Sequence, residues 1–247
     1  MNSWDEENAK MFSSWGLSKV NEMEEVHGPA IDFIIKYIAS EFLNKDIHER
    51  SRSKIRLLDV GTGSGHLITK ILASHPAAGH SMELIGVDVS PEMVSICESK
   101  FRTFLETVIE DPEGREKLQE NVHFHQGNVL DICDSLGKFS IIICLESIYY
   151  ISDMELALRK LHGILEENGI LLVAVEFGMV LTDDEEVNQE RISIMSKEIS
   201  IDRIHLLKLK GYVKKLKETG FTSVNTTDED GFHYITAVKS PRQENAK

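Results

Sequence analysis

A strand that runs into three closely spaced glycines constrains this chain more than any other feature. Residues 57–65 read Leu-Leu-Asp-Val-Gly-Thr-Gly-Ser-Gly, so an apolar strand ends in an acid and Gly61, Gly63 and Gly65 follow at alternate positions. Glycine adopts backbone angles denied to other residues and lets a ligand lie against the main chain. A dinucleotide-binding fingerprint would place its third glycine at His66, and a phosphate-binding P-loop would need a Lys-Ser or Lys-Thr pair after the last glycine. The pattern therefore predicts a ligand-binding turn of another type, between a strand and a helix.

A second apolar strand ends in an acidic residue at a spacing that suits a nucleoside ligand. Residues 84–88 read Leu-Ile-Gly-Val-Asp, and Asp88 follows Gly65 by 23 positions. In nucleotide-binding α/β folds, a carboxylate at about this distance accepts hydrogen bonds from the ribose hydroxyls. The alternative interpretation is a turn or helix-cap residue ahead of Ser90 and Pro91. The glycine-rich turn that precedes Asp88 favours the ribose interpretation.

The GxGxG pattern behind an acid-ended strand resembles the first motif of class I S-adenosylmethionine-dependent methyltransferases. Three later segments resemble further motifs of that family in the correct order, namely residues 125–131, 139–151 and 161–173. The resemblance covers roughly residues 30–238. It implies an α/β fold with a doubly wound, seven-stranded, mostly parallel Rossmann-like sheet, an antiparallel last strand, and S-adenosylmethionine as the cofactor.

The resemblance also assigns a set of cofactor-binding residues. By their positions in the motifs these are Asp59, Gly61, Thr62, Gly63, Gly65, Asp88, Val89, Asn128, Val129, Cys144 and Leu145. Asn128 stands where relatives commonly carry an aspartate that accepts from the adenine amino group, and an amide oxygen can still accept that bond. Asn168 replaces the first glycine of the turn before the fifth strand. Cofactor binding is expected despite both departures.

Residues at the carboxyl ends of the fourth and fifth predicted strands are expected to face the transferred methyl group. The predicted catalytic residues are Glu146, Tyr149 and Glu176, and the predicted substrate contacts are Trp15, Tyr150 and Phe177. The two carboxylates could bind an ammonium group or accept its proton, and the alternative is a solvated or ion-paired carboxylate. The two tyrosines could line the pocket, and the alternative is a place in the core. They stand where relatives often carry histidines, so no obvious strong base follows the fourth strand.

The chain divides by its pattern into an arm, a domain and a tail. Residues 1–27 mix aromatic and acidic side chains and predict a helical arm, residues 28–239 hold the motifs, and residues 240–247 are expected to be unstructured. The segment 177–206 is longer than the usual connection and predicts one or two added helices. Insertions there lie above the carboxyl ends of the strands, where open α/β sheets bind ligands. We therefore expect the arm and this insert to form two halves of a substrate lid.

The balance of charges disfavours one class of partner. The chain carries 27 basic and 41 acidic residues, for a net charge of −14. Nucleic acids are bound through Lys and Arg that displace counterions, so a chain this acidic is poorly suited to them. No apolar run approaches the length of a membrane span, and the N-terminus lacks the pattern of a secretory signal. We expect a cytoplasmic protein whose partner is a small-molecule substrate, and neither a nucleic acid nor a membrane.

The three cysteines lack the spacing of a metal site. Cys97, Cys133 and Cys144 lie within or beside predicted helices and strands. Buried free thiols in a reducing compartment are the simplest interpretation, and no bound metal is expected.

The sequence thus favours transfer of a methyl group from S-adenosylmethionine to a small metabolite or natural product. N-methylation is preferred over O-methylation, because two carboxylates suit an ammonium-bearing acceptor and a hydroxyl acceptor usually needs a base. Three alternatives stay open. They are a protein or peptide methyltransferase, whose acidic surface would attract a basic chain, a non-catalytic subunit that partners an active one, and an NAD-dependent oxidoreductase, against which His66 argues.

Overall fold

The computed structural model describes residues 3–43, 54–197, 199 and 201–241, with only the backbone described at positions 132 and 133. Over these residues strands and helices alternate, as is typical of α/β folds. The strands are β1 (Ile55–Val60), β2 (Met82–Asp88), β3 (Val122–Gln126), β4 (Phe139–Leu145), β5 (Leu165–Glu176), β6 (Thr222–Glu229) and β7 (Phe232–Val238). The α-helices are α1 (Ser3–Ser13), α2 (Leu17–Ile38), α3 (His66–Ser74), α4 (Ala78–Ser81), α5 (Pro91–Val108), α6 (Pro112–Asn121), α7 (Val129–Ile132), α8 (Met154–Ile164), α9 (Glu185–Met195) and α10 (Leu209–Glu218).

The described strands form one seven-stranded sheet in the order β3-β2-β1-β4-β5-β7-β6. The pairs β1 and β2, β2 and β3, and β4 and β5 are parallel, whereas β7 pairs antiparallel with both β5 and β6. This arrangement confirms the predicted doubly wound, mostly parallel Rossmann-like sheet with an antiparallel last strand.

Two compact units make up the chain. The first unit is Ala9–Asn128, and the second unit is Met1–Asn8 with Val129–Lys247. In the first unit, Leu57 and Leu58 of β1 are fully buried. Consecutive residues of a strand point to opposite faces, so both faces of β1 are covered, as expected of a parallel strand between helices.

In the second unit, β4 is buried in the same way, since Ile141, Ile142 and Ile143 are inaccessible to solvent. The turn inside β5 contains Asn168 in the left-handed region, at φ 63°. Its amide donates to the Lys239 carbonyl at 2.8 Å. Asparagine tolerates left-handed angles better than other residues that carry a side chain, so the replacement of glycine at position 168 preserves the backbone of the turn.

The predicted arm and insert contain regular structure, and their function as a lid stays a prediction. The helix α2 runs across the expected boundary between residues 27 and 28. The insert 177–206 contains α9 and two short 3-10 turns, Phe177–Met179 and Ile201–Arg203. Of the predicted tail, residues 242–247 lie outside the described residues.

Cys97 and Cys144 are buried, as predicted, and neither forms a disulfide within the described part of the chain; the side chain of Cys133 lies outside that part. Among the described helices, none is both long enough and apolar enough to cross a membrane.

Candidate active site

The glycine-rich turn between β1 and α3 is anchored to the ends of two strands. The amides of Gly61 and Thr62 both donate to the Val87 carbonyl, at 2.8 and 3.0 Å. The Thr62 hydroxyl donates to Oδ2 of Asp59 at 2.8 Å. The first half of the turn therefore follows the carboxyl ends of β1 and β2 closely.

Asp88, at the end of β2, braces the second half of the same turn. Its Oδ2 accepts from the Gly63 amide at 2.9 Å, and its Oδ1 accepts from the Ser90 amide at 2.9 Å. Burial raises the pKa of Asp88, and the hydrogen bonds from Ser90 and Gly63 oppose that rise. Each carboxylate oxygen has a further lone pair, so Asp88 can still accept from ribose hydroxyls. Both of these bonds lie within the chain, and acceptance from ribose hydroxyls stays a prediction.

A second buried carboxyl interacts with the Asp88 charge. Asp59 is 2% exposed, and burial raises its pKa to about 7. The bond from the Thr62 hydroxyl opposes this rise, whereas the Asp88 charge adds to it. About half of the Asp59 side chains are protonated near that pH, so the turn carries less negative charge than its sequence implies.

The glycines of the turn have different surroundings, which the motif alone does not reveal. All three have positive φ, at 74° for Gly61, 55° for Gly63 and 74° for Gly65. A Cβ atom on Gly65 would lie 2.3 Å from Sγ of Cys97, whereas one on Gly63 would meet nothing within 4 Å. Gly65 is therefore required for packing against α5, and Gly63 borders open space in which a ligand could lie.

The other predicted cofactor residues fall in both units. In the first unit, Val89 and Asn128 follow the paired strands β2 and β3, and the Val89 carbonyl accepts from Nε2 of Gln126 at 3.1 Å. In the second unit, Val129 begins α7, and Cys144 and Leu145 end β4. The Cys144 side chain is wholly buried. Their contacts with a cofactor stay predictions.

Glu146, directly after β4, is the centre of the second unit's polar cluster. Its φ is 53°, a left-handed angle that costs free energy for a residue with a side chain. Its Oε2 accepts from the Tyr149 hydroxyl at 2.5 Å, and its Oε1 accepts from the Glu176 amide at 2.5 Å. The carboxyl group therefore links the loop after β4 to the end of β5, and the structure brings together all three predicted catalytic residues.

The acidity of this cluster is strongly reduced. Burial raises the pKa of Glu146 to about 8; the bonds from Tyr149 and Glu176 oppose the rise, and the Glu176 charge adds to it. Burial also raises the pKa of the Glu176 carboxyl and that of the Tyr149 hydroxyl. Tyr149 thus remains a neutral donor, and Glu146 changes its charge near the pH at which a proton acceptor is most useful.

Aromatic rings line the same two chain segments. Tyr149 is buried, Tyr150 is partly exposed, and their ring centroids are 4.6 Å apart. The Phe177 ring lies 4.4 Å from the His233 ring. Of the predicted substrate contacts, Tyr150 and Phe177 are therefore on segments that contain catalytic candidates. Trp15 contacts Phe12 edge-on, at 5.1 Å between ring centroids, and its part in substrate binding stays a prediction.

The loop that carries the tyrosines is held by residues that the sequence did not single out. The Tyr150 carbonyl accepts from Nε1 of Trp4 at 2.8 Å and from Nδ2 of Asn8 at 3.0 Å. The His205 amide donates to the Tyr149 carbonyl at 2.8 Å, and the His205 ring stacks on Trp4 with 5.2 Å between centroids. The start of α1 and the end of the insert thus meet on this loop. In the sequence, only the two tryptophans of the arm indicated that this segment packs against the rest of the chain.

Comparison with known proteins agrees with the fold and the motifs. The profile of a family described as a methyltransferase domain matches residues 51–205, more than half of the chain. An uncharacterized methyltransferase, YcgJ of Bacillus subtilis, is 32% identical over 122 residues, which are 49% of this chain and 41% of that protein. A ubiquinone biosynthesis O-methyltransferase of Azorhizobium caulinodans is 22% identical over 63% of this chain and 54% of its own length.

Other relatives differ in the reaction that their names give. A histamine N-methyltransferase of Cavia porcellus is 23% identical over 52% of this chain and 43% of its own length. The chain thus spans about half the length of the curated relatives that it matches. Among solved structures, an O-methyltransferase family protein from Burkholderia thailandensis has a TM-score of 0.65 at 14% identity, covering 91% of this chain and 59% of that chain. The structure of PigF with SAH has a TM-score of 0.61 at 15% identity, covering 88% and 56%.

Proposed function

The chain belongs to the methyltransferase domain family, among the class I S-adenosylmethionine-dependent enzymes, and on that premise we propose that it methylates a small metabolite at nitrogen. The observation that carries the choice of nitrogen is the meeting of two carboxyl-bearing residues, Glu146 and Glu176, beside Tyr149, because paired carboxyls suit an ammonium-bearing acceptor. The pKa of Glu146, raised to about 8, also provides the base that the sequence did not predict after the fourth strand. The names of the relatives include both N- and O-methyltransferases, so they support methyl transfer without favouring either atom.

The first unit fits the adenosylated cofactor that this family uses. Gly63 borders open space, and the Asp88 carboxylate keeps lone pairs for ribose hydroxyls. We assign cofactor binding to the glycine-rich turn, Asp88, Val89 and Asn128 in that unit. The roles of Val129, Cys144 and Leu145, in the second unit, stay predictions. When bound, the cofactor supplies an electrophilic methyl group on a sulfonium sulfur.

Glu146 would act as the general base that takes a proton from the acceptor. An amine accepts a methyl group only through its neutral lone pair, so its ammonium form must first lose a proton. The ionised Glu146 carboxylate would take that proton and become the neutral acid, which would leave the amine free to accept the methyl group. A base with a pKa near the working pH combines adequate strength with adequate ionisation, so a pKa of about 8 suits this step better than the usual value of 4.5.

The rings of Tyr149 and Tyr150 support the same choice of acceptor. The faces of aromatic rings attract cations, and contacts of this kind contribute about 0.5–2 kcal/mol. Tyr150 is partly exposed, and we assign its ring the contact with the ammonium group; buried Tyr149 orients the Glu146 carboxyl through its hydroxyl. A hydroxyl acceptor would gain nothing from the first of these contacts.

The test is a pH series with methyl-labelled S-adenosylmethionine and matched panels of small amines and alcohols. We expect amines to take up label, with a kcat that rises as Glu146 ionises, midway near pH 8. Glu146→Gln should lower kcat about 100-fold or more and remove that rise, because a general base is lost. Its affinity for S-adenosylhomocysteine should stay within about two-fold of wild type, because Glu146 is assigned to the acceptor.

Asp88→Ala separates cofactor binding from acceptor chemistry. We expect it to weaken S-adenosylhomocysteine binding by about 1–3 kcal/mol in calorimetry, because bonds to a charged acceptor are lost.

Other outcomes would overturn parts of the proposal. Label in the alcohols and none in the amines would move the assignment to O-methylation. Label in protein from cell extract would favour the peptide-methylating alternative, and unchanged affinity in Asp88→Ala would overturn the ribose assignment.

A further inference from the structure

The side chain of Glu24, in the first half of α2, contacts the glycine-rich turn. Its Oε1 accepts hydrogen bonds from the Ser64 hydroxyl and from the Lys100 ammonium group of α5. Its Oε2 lies 3.4 Å from Nδ1 of His66, at the start of α3. One carboxylate therefore joins α2, the turn, α3 and α5, all within the first unit.

The ionisation of this cluster identifies the contacts that matter at neutral pH. Burial by itself would raise the pKa of Glu24, but the hydrogen bonds from Lys100 and Ser64 and the charge of His66 outweigh it, and the pKa is lowered. Burial lowers the pKa of His66. At neutral pH Glu24 is thus an anion paired with Lys100, and its contact with His66 is made mainly with an uncharged ring.

Ser64 is the residue of the turn for which this contact matters most. It lies between Gly63 and Gly65, the two glycines with positive φ at this end of the turn. Glycine loses more conformational freedom on folding than any other residue, so a turn with three glycines is costly to order. Thr62 and Gly63 are bonded to Asp59 and Asp88, at the ends of strands. The Ser64 hydroxyl instead donates to Glu24, on a helix that precedes the sheet in the chain.

We infer that Glu24 is a positioning residue for cofactor binding. Through its bond with Ser64 it makes the ordering of the glycine-rich turn depend on the ordering of α2. The inference rests on the proposed function, since it takes the turn as the cofactor site. Apparent affinity falls in proportion to the fraction of molecules whose site is ordered for binding. Loss of the Glu24 anchor therefore weakens binding although Glu24 touches no cofactor atom in this assignment.

The experiment is calorimetry with S-adenosylhomocysteine on four proteins: wild type, Glu24→Ala, Ser64→Ala and the double variant. We expect each single variant to raise Kd about ten-fold, through a ten-fold smaller ordered fraction. The double variant should bind no more weakly than the weaker single variant, because both substitutions remove the bond between Glu24 and Ser64, which can be lost only once. Amide exchange at Gly63 and Gly65 should quicken in both single variants, an effect that is local to the turn.

Glu25→Ala is the matched control. It removes the same charge from the neighbouring exposed position on α2, and its Kd should stay within about two-fold of wild type. A wild-type protein that does not bind the ligand would refute the proposed function itself. Wild-type binding with an unaltered Kd in Glu24→Ala, or with losses in the two single variants that simply add, would overturn the role of Glu24 alone.

Discussion

Gly63 and Gly65 occupy equivalent places in a repeated motif, yet their surroundings give them different tasks. Gly65 lies against the Cys97 thiol, whereas Gly63 has no atom near its absent side chain. Both have positive φ, so replacing either one by alanine would lower the protein's free energy of unfolding by about 1–2 kcal/mol. The further effect of a side chain differs between the two positions. At Gly65 it would overlap Cys97 and destabilise the fold, and at Gly63 it would fill space left for the ligand.

We therefore predict that Gly65→Ala destabilises the protein by more than Gly63→Ala, by about 1–3 kcal/mol more, because the new methyl group overlaps Cys97. Gly63→Ala should lose only the roughly 1–2 kcal/mol that its left-handed backbone costs, yet bind S-adenosylhomocysteine much more weakly. The measurements are urea unfolding and calorimetry on both variants. Equal unfolding midpoints, or full affinity in Gly63→Ala, would contradict this division.

At the scale of elements, the start of α1 and the end of the insert hold the loop after β4. Asn8 donates through Nδ2 to the carbonyls of Tyr150, at 3.0 Å, and Arg203, at 3.3 Å. Asp5 accepts from the Ser152 hydroxyl at 3.0 Å. Because loops contribute few hydrogen bonds of their own, such contacts decide how well this segment is ordered.

Asn8→Ala should lower the free energy of unfolding by about 1–3 kcal/mol, since it leaves part-buried carbonyls with fewer donors. Amide exchange in residues 149–152 should quicken at the same time. Glu6→Ala, an exposed change on the same helix, is the control and should alter neither quantity. Unchanged exchange in Asn8→Ala would show that α1 does not order the loop.

For the whole molecule, the raised pKa values of two acids predict how stability depends on pH. Burial raises the pKa of Asp59 from 3.8 to about 7 and that of Glu146 from 4.5 to about 8. Between these values the folded protein holds protons that the unfolded chain has released. The stability that these two acids contribute is therefore fully present below their unfolded pKa values and is lost as the pH rises through their folded pKa values.

We expect the free energy of unfolding from urea titrations to decrease between pH 5 and pH 8.5. Glu146→Gln should make this decrease shallower, because an amide does not titrate and still fills the site. Glu155→Gln, which alters an exposed carboxylate, should retain the wild-type slope. An equally steep decrease in Glu146→Gln would contradict the raised pKa of that residue.

Local patterns in the sequence were sufficient to predict the fold and the position of the glycine-rich turn. The strands that end in an acid and the alternate glycines are recognised from residues only a few positions apart. The same holds for Asn168, whose left-handed angle explains why it can replace a glycine.

Tertiary structure alone decided the electrostatics of the cluster around Glu146 and the anchors of both loops. Glu146 and Glu176 are ordinary acids in the sequence. Burial raises the pKa of both carboxyls, the Glu176 charge adds to the rise at Glu146, and the Tyr149 hydroxyl donates to Glu146. Glu24 meets Ser64 across 40 positions of the chain. Contacts of this length leave no periodic trace in the sequence, because desolvation and long-range hydrogen bonds exist only once the chain has folded.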